Sequence, residues 1–335
     1  MRDVAARVGV SAMSVSRVLN GADNVSEDLR RRVLAAVQAL GYRTNLAARS
    51  LKTGDQLRLG LIYDNPSSGY LTELLLGSLD AARRSRVQLI VQACDEAGNA
   101  DAAIDRLIAA RADGFVLTPP ISESKDVLDR LRTLALPVVS IASAKAPDWA
   151  LSVCIDERRA AFQMTRHLIE RGHARIGFIT GDARQSASAL RLQGYLRALA
   201  ESGLPRRPEL IASGHFTYRS GLDAAEELLD LPERPTAIFA SNDDMAAACI
   251  AIAHQRGLDV PHDLSVCGFD DTALATTVWP ELTTIRQPIN AMSAAAVALL
   301  ARTLRQESPD ARKARARHLR LGYEIKLRGS DGPAQ

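Results

Sequence analysis

One pattern, run through twice, constrains this chain more than any other. From Arg58 onward, short apolar runs alternate with longer amphipathic stretches. The runs lie at 59–63, 87–93, 114–117 and 137–141, and again at 176–180, 210–212, 237–240 and 264–267. The stretches at 71–84, 100–110 and 122–134, then at 159–171, 188–202, 218–231 and 245–256, repeat apolar residues at helical spacing. A strand that is apolar on both sides must be covered on both sides, which predicts parallel sheets flanked by helices. The two series open alike, with Arg58-Leu-Gly-Leu-Ile-Tyr-Asp64 and Arg175-Ile-Gly-Phe-Ile-Thr-Gly-Asp182. The expected architecture is two similar α/β lobes, one over about 58–155 and 288–316, the other over about 157–286 and 318–329. Crossovers are expected near Asp156 and at 286–288; a last helix at 291–305 returns to the first lobe, and the tail at 319–327 ends in the second.

The chain before Arg58 follows a different rule. Val4, Ala5 and Val8 share one side of a short helix that runs into Gly9, a residue free to take the positive φ of a sharp turn. Ser11 stands where an N-cap belongs, and Val15, Val18 and Leu19 follow at i, i+3, i+4. This is a helix-turn-helix pattern, although an ordinary pair of core helices reads the same way up to this point. The outward face of the second helix shows Ala12, Met13, Ser16, Arg17 and Asn20, small or hydrogen-bonding groups suited to a DNA major groove. Ser26 caps a third helix whose first turn is acidic (Glu27, Asp28), as the helix dipole favours. Leu29, Val33, Val37 and Leu40 form its inner stripe, and Gly41 ends it. Up to Lys52 the chain carries nine basic residues against four acidic ones, a surplus larger than the +3 of the whole protein. Positive charge therefore gathers at the end expected to meet phosphate. The organisation expected is a small all-α helix-turn-helix headpiece at 1–44, a linking segment at 45–57, and a two-lobed α/β domain over 58–329.

Several motifs here resemble one known family. Asp3-Val-Ala, Gly9-Val-Ser, Val15-Ser-Arg-Val-Leu-Asn-Gly21, Val25-Ser and Gly41-Tyr-Arg-Thr-Asn45-Leu-Ala-Ala-Arg-Ser-Leu51 are similar to the headpiece of the lactose-repressor/galactose-repressor family of bacterial transcription regulators. The resemblance continues through nearly the whole chain and implies a second domain like the periplasmic sugar-binding proteins. It implies a cytoplasmic, sequence-specific repressor of carbohydrate-utilisation genes, a homodimer on a pseudo-palindromic stretch of double-stranded operator DNA. Ser11, Ala12, Met13, Ser16, Arg17 and Asn20 would then face bases or adjoining backbone. The segment from Asn45 to Leu51 would be a hinge helix that orders on the operator, with Leu51 wedged into a minor-groove base step. The residues themselves agree: Asn45 can cap, Ala47 and Ala48 allow close approach, and Leu51 has nowhere local to bury. Such a wedge unstacks a step but bends the duplex and opens further contacts; a plain linker residue packing on the next domain is the alternative for Leu51. Two departures stand out. The family's capping pair before the Asp3 position is missing, or the natural start lies upstream of Met1, and the family's Pro before the hinge Asn is Thr44.

Paired lobes bind ligands between the carboxyl ends of their strands. Those ends carry Asp64, Asn65 and Tyr70, then Asp95 and Glu96, in the first series. In the second they carry Asp182, Ser186, Ser188 and Arg191, then Phe216, Asn242-Asp243 and Asp270-Asp271, with Gln287 at the crossover. Planar groups that bond neighbouring hydroxyls, with rings to cover C–H faces, suit a sugar. The resemblance assigns effector contact to Arg191, Phe216, Asn242, Asp270 and Gln287. The expected effector set is these five with Asp64, Asn65, Tyr70 and Ser188, and the expected ligand is a mono- or oligosaccharide. Arg191 also reads as a surface helix residue, Asp243 as a helix cap and Asp271 as structural. Ala142 lies where some sugar-responsive relatives carry an acid, which leaves the sugar open. A non-sugar effector such as a nucleobase, or a non-catalytic solute-binding protein, is the alternative reading.

Other classes lack their signatures. No dinucleotide glycine motif follows a strand, and there is neither a phosphate-loop Gly-Lys-Ser/Thr nor a Gly-x-Ser-x-Gly. Catalysis is therefore not expected, nor is any cofactor. The cysteines (Cys94, Cys154, Cys249, Cys267) have no metal spacing and read as small buried hydrophobes in a reducing compartment. No apolar run of about 18 residues exists to span a bilayer.

Overall fold

The computed structural model describes residues 2–19, 25–39, 56–94, 99–144, 146–305 and 318–335. They belong to two compact units, 1–55 and 56–335. In the first, α1 (Arg2–Val8), α2 (Ala12–Leu19) and α3 (Glu27–Ala39) surround a core of Val4, Val8, Val15, Val18 and Val33. Gly9 turns the chain at φ +71°, a conformation that costs a residue with a Cβ about 1–2 kcal/mol. The Ser14 N–H donates to Ser11 Oγ at 3.1 Å and the Leu29 N–H to Ser26 Oγ at 3.4 Å, so both sequence-predicted caps form. Arg32 donates to the Val8 carbonyl at 2.7 Å, satisfying an acceptor that the end of α1 leaves open. Leu40 and Gly41 lie outside the described residues.

The second unit holds two six-stranded sheets. The first contains β1 (Arg58–Tyr63), β2 (Gln88–Ala93), β3 (Gly114–Leu117), β4 (Val138–Ile141), β5 (Leu151–Cys154) and β11 (His318–Arg320) in the order β2-β1-β3-β4-β5-β11. Every pair in it is parallel. Helices α4 (Ser68–Arg84), α5 (Asp101–Ala109), α6 (Lys125–Thr133) and α11 (Ile289–Arg305) belong to this lobe. The second sheet contains β6 (Ile176–Ile179), β7 (Ile211–Ala212), β8 (Ala237–Ala240), β9 (Ser265–Asp270), β10 (Thr283–Arg286) and β12 (Glu324–Lys326), in the order β7-β6-β8-β9-β10-β12. It is parallel except for β12, which runs antiparallel to β10. Helices α7 (Glu157–Glu170), α8 (Ser186–Glu201), α9 (Tyr218–Leu229) and α10 (Asp243–Gln255) accompany it. The inner strands β3, β4, β6 and β8 are buried at every residue, which is why, Ser140 of β4 apart, they read as near-continuous apolar runs.

The tail corrects one expectation. Residues 318–329 were expected wholly in the second lobe, but β11 pairs with β5 on the edge of the first sheet and only β12 joins the second. The outer edge of β5 offers unpaired backbone groups. β11 meets them, aided by a 2.8 Å bond between His318 Nδ1 and Ser152 Oγ. The chain therefore passes between lobes three times: after β5, after β10 and between β11 and β12. The last residues are pinned to the second lobe, where Asp331 takes the Thr283 hydroxyl at 2.5 Å and pairs with Arg171 at 2.9 Å. No helix among the described residues is long and apolar enough to cross a membrane.

Candidate functional site

In the first unit, α2 turns its valines inward and exposes Ala12, Met13 and Arg17, with Ser11 exposed at its start. Met13 is 68% exposed, an unusual place for a large apolar side chain and one that suits an apolar contact outside the headpiece. The Ser11 hydroxyl also bonds Ser14 Oγ at 2.9 Å, so capping occupies it. On α3, Arg31 pairs with Asp28 at 2.7 Å, whereas Arg7 and Arg17 are exposed. The Ser16 side chain, and Asn20, Asn45, Ala48 and Leu51 entirely, lie outside the described residues.

In the second unit, strand ends from both sheets converge on a recess of about 30 Å³. The first lobe contributes Asn65, Ser67, Tyr70, Pro119 and Ala142. The second lobe and the crossovers contribute Glu157, Gln185, Arg191, Phe216, Asn242, Asp270 and Gln287. Arg191 is the centre of this wall and is 4% exposed. Its Nε donates to Glu157 Oε2 at 2.8 Å, its Nη1 donates to the Ser241 carbonyl, and Asp270 Oδ1 lies 3.9 Å from that Nη1. The guanidinium carbon sits 3.6 Å from the centre of the Phe269 ring and 5.7 Å from that of Phe216, a cation–π sandwich in a desolvated setting. Burial works against the charge on Arg191, but Glu157 and Asp270 outweigh it and raise its pKa.

Carboxyl groups around it divide by environment. Burial is the main reason that the Asp270 pKa stands well above the ordinary carboxylate range; Arg191 opposes this, and Asp243 reinforces it. Gln287 Nε2 donates to Asp270 Oδ1 at 2.6 Å. The Tyr70 phenol is likewise pushed up by burial, then by the charges of Asp270 and Glu157. Asp243 was read as a possible cap, but the cap is Asn242, whose Oδ1 accepts the Met245 N–H at 3.0 Å. Asp243 is instead fully buried under the site, accepting from the Thr272 N–H at 2.7 Å and the Thr284 hydroxyl at 2.6 Å. Asp271 is held by Arg286 and Arg328.

Backbone strain gathers at the same place. Ala142, Phe216, Asp270 and Asp271 have φ of 53°, 61°, 113° and 58°, values that non-glycine residues adopt only when the surroundings impose them. Phe216 is pressed against the backbone of Gly181, where an added Cβ would lie 2.0 Å from the ring Cζ.

The lobes are joined around the recess. Ser67 donates to Asp244 Oδ2 at 2.6 Å. The Ser186 N–H donates to Glu123 Oε2 at 2.7 Å, and the Ser186 hydroxyl donates to the other oxygen of the same carboxylate. Asp64 and Arg184 lie 3.9 Å apart.

The expected effector residues Asn65, Tyr70, Arg191, Phe216, Asn242, Asp270 and Gln287 all line the recess. Asp64 and Ser188 do not: Asp64 faces Arg184, and the Ser188 hydroxyl donates to the Asp182 carbonyl at 2.6 Å. Asp95 and Glu96 lie outside the described residues. Sequence reasoning missed Ser67, Pro119, Glu157 and Gln185; for Glu157 the available signal was its position directly after the crossover at Asp156. A larger groove of about 560 Å³ runs along α7 among Arg158, Arg159, Phe162 and Arg166, and shares no lining residue with the recess. The convergence of buried polar groups makes the smaller space the candidate ligand site.

Comparison with known proteins decides the family. Residues 1–45 match the pattern of the bacterial regulatory proteins of the lacI family, and residues 165–330 match a periplasmic binding protein-like domain. Catabolite control protein A of Priestia megaterium is 37% identical over 310 residues, which cover 92% of this chain and 93% of that protein. The chain belongs to the lacI family. The HTH-type transcriptional repressor CytR of Escherichia coli (strain K12) is 36% identical over 290 residues, covering 86% of this chain and 84% of CytR. Among solved structures, the complex of the transcriptional regulator CelR with cellobiose is similar with a TM-score of 0.74 at 29% identity, over 98% of both chains. As a lacI-family member the chain is a DNA-binding transcription regulator, with the helix-turn-helix unit and two-lobed parallel α/β unit described above.

Proposed function

We propose that this lacI-family regulator is a repressor whose hold on its operator is set by a small, hydroxyl-rich solute lodged between the two lobes. Two copies bind a pseudo-palindromic operator, since a symmetric dimer presents two recognition helices one helical turn apart. Arg17 addresses a base edge and Met13 an apolar one, while Leu51 enters the minor groove. The protein works in the cytoplasm, where its DNA is, and carries out no catalysis. The observation that carries the effector reading is the buried set of Arg191, Glu157 and Asp270 beside the Phe216 ring. Carboxylate, guanidinium and ring together suit a sugar better than an apolar ligand. The CelR likeness adds a solved relative in complex with cellobiose.

A recess of about 30 Å³ has room for roughly two waters. A sugar therefore enters by parting the lobes at the Ser67–Asp244 and Ser186–Glu123 contacts, and the lobes re-close around it. That change alters the first lobes of the dimer and with them the two hinges, with a coupling on the order of 1–3 kcal/mol. The test is fluorescence anisotropy on DNA fragments from beside the protein's own gene, with and without a panel of mono- and disaccharides. One fragment should bind in the nanomolar range, and one sugar should shift that affinity about tenfold or more. Indifference to every fragment sinks the repressor reading; operator binding that responds to nucleosides and to no sugar sinks the sugar reading.

A further inference from the structure

Two buried oxygens at the recess have no hydrogen-bond partner among the described residues: Glu157 Oε1 and Gln287 Oε1. Both side chains are more than nine-tenths buried. The other end of each is engaged, Glu157 Oε2 by Arg191 and Gln287 Nε2 by Asp270. Both residues stand at chain crossovers, Glu157 just after β5 and Gln287 just after β10. Buried acceptors are nearly always paired, because leaving one unpaired forfeits its hydration without return. No donor among the described residues meets either oxygen, so each is open to an O–H or N–H donor brought by a bound molecule.

The charge of the wall points the same way. Arg191 is the one cation among the described lining residues, and it is already committed to Glu157 at 2.8 Å and to the Ser241 carbonyl. An anion would have to draw Arg191 away from Glu157 and would leave that carboxylate buried without its partner, a costly arrangement. We propose that Glu157 is the specificity-determining residue of the effector site. Its Oε1, with Gln287 Oε1, accepts donor hydroxyls of an uncharged solute, and its grip on Arg191 shuts out phosphorylated counterparts of the same solute. Burial of Asp270, which favours its protonated form, leaves the wall near neutrality and supports the same selection. The proposal rests on the reading that the recess holds the effector.

The experiment is isothermal titration of the full chain with matched pairs: D-glucose and glucose 6-phosphate, D-ribose and ribose 5-phosphate, adenosine and adenosine 5′-monophosphate. In the pair that binds, the neutral member should bind at least about tenfold tighter than its phosphate. Glu157→Gln should weaken the neutral ligand about ten- to hundredfold, the usual worth of a hydrogen bond to a charged group, and should narrow or reverse the preference. A phosphate that binds the wild-type chain as tightly as its neutral partner overturns the proposal, as does an unchanged ratio in a folded Glu157→Gln protein. If that variant does not fold, the wild-type ratio still decides the exclusion. Glu157→Asp, which keeps the charge but withdraws the oxygens, should then lose affinity while keeping the ratio. Binding of adenosine and of no sugar overturns the sugar reading alone, and the Glu157 proposal is then judged on that pair. Silence of all pairs overturns both.

Discussion

The two lobes share a sheet plan but differ in how they spend polarity and strain. The first lobe faces the recess with neutral groups: Asn65, Ser67, Tyr70, Pro119 and Ala142. The second brings a buried cation with two buried acids and two rings gathered on it. Their helix ends differ as well. The left-handed residues after α4, α5 and α6 are Arg86, Arg111 and Ala135, whereas those after α7, α8 and α10 are Gly172, Gly203 and Gly257. Glycine takes that conformation freely and other residues do not. The second lobe thus reads as the preorganised half, with its backbone strain confined to Phe216, Asp270 and Asp271 at the site. The first reads as a cover, held by Ser67 and Glu123 at the rim.

This contrast can be broken most sharply at Arg191. Arg191→Ala leaves Glu157 and Asp270 buried without their cation and should cost about 3–5 kcal/mol in urea unfolding, with loss of any effector response. A change under about 1 kcal/mol would show that the second lobe does not depend on this pair. The next effect is on pH. Burial pushes Asp243 up to about 7 from an ordinary 3.8, so the folded chain keeps a proton that the unfolded chain releases. The stability contributed by this group is full below about pH 4 and is lost as pH rises through about 7. Asp243→Asn should remove this group's share of the slope, on the order of 4 kcal/mol between pH 4 and 8, as read from unfolding free energies across the range, while Asp270, likewise raised by burial, keeps its own.

Smaller effects test the cover. Glu123→Ala removes the acceptor for both Ser186 donors and should loosen closure by about 1–3 kcal/mol. Small-angle scattering of the effector-free chain should then show a larger radius of gyration, with effector affinity falling about tenfold. Equal dimensions would mean that the rim contacts do not hold the lobes. Smallest is a gain: Ala135→Gly should stabilise the first lobe by about 0.5–1 kcal/mol, because Ala pays for a positive φ that Gly adopts freely. Gly257→Ala in the second lobe should cost a similar amount. Thermal unfolding midpoints that moved together would erase the distinction between the lobes.

Much of this was legible from periodicity. β3 and β4 in one lobe and β6 and β8 in the other are apolar on both faces and announce themselves, and the caps at Ser11 and Ser26 follow from local bonding rules. β5 and β10 escaped notice. Leu151-Ser-Val-Cys154 is only four residues long and is interrupted by Ser152, and Thr283-Thr-Ile-Arg286 mixes buried threonines with an exposed arginine. β11 could not have been assigned to a sheet, since all three of its residues are exposed and no burial pattern says which edge it pairs with. At the site, the residues that follow strand ends were visible. Ser67, Glu157 and Gln185 were not, because helix starts and crossovers look alike until the chain is folded.

By itself the sequence determined what local spacing controls: a three-helix headpiece with an exposed Met13 and Arg17, and two runs of strand and helix that must form layered parallel sheets. Only tertiary structure decided that Glu157 meets Arg191 across 34 residues, that Ser67 reaches Asp244 across 177, and that the tail divides between sheets. Periodicity records which face of an element is buried; it holds no record of which buried charges and open edges will find each other through space.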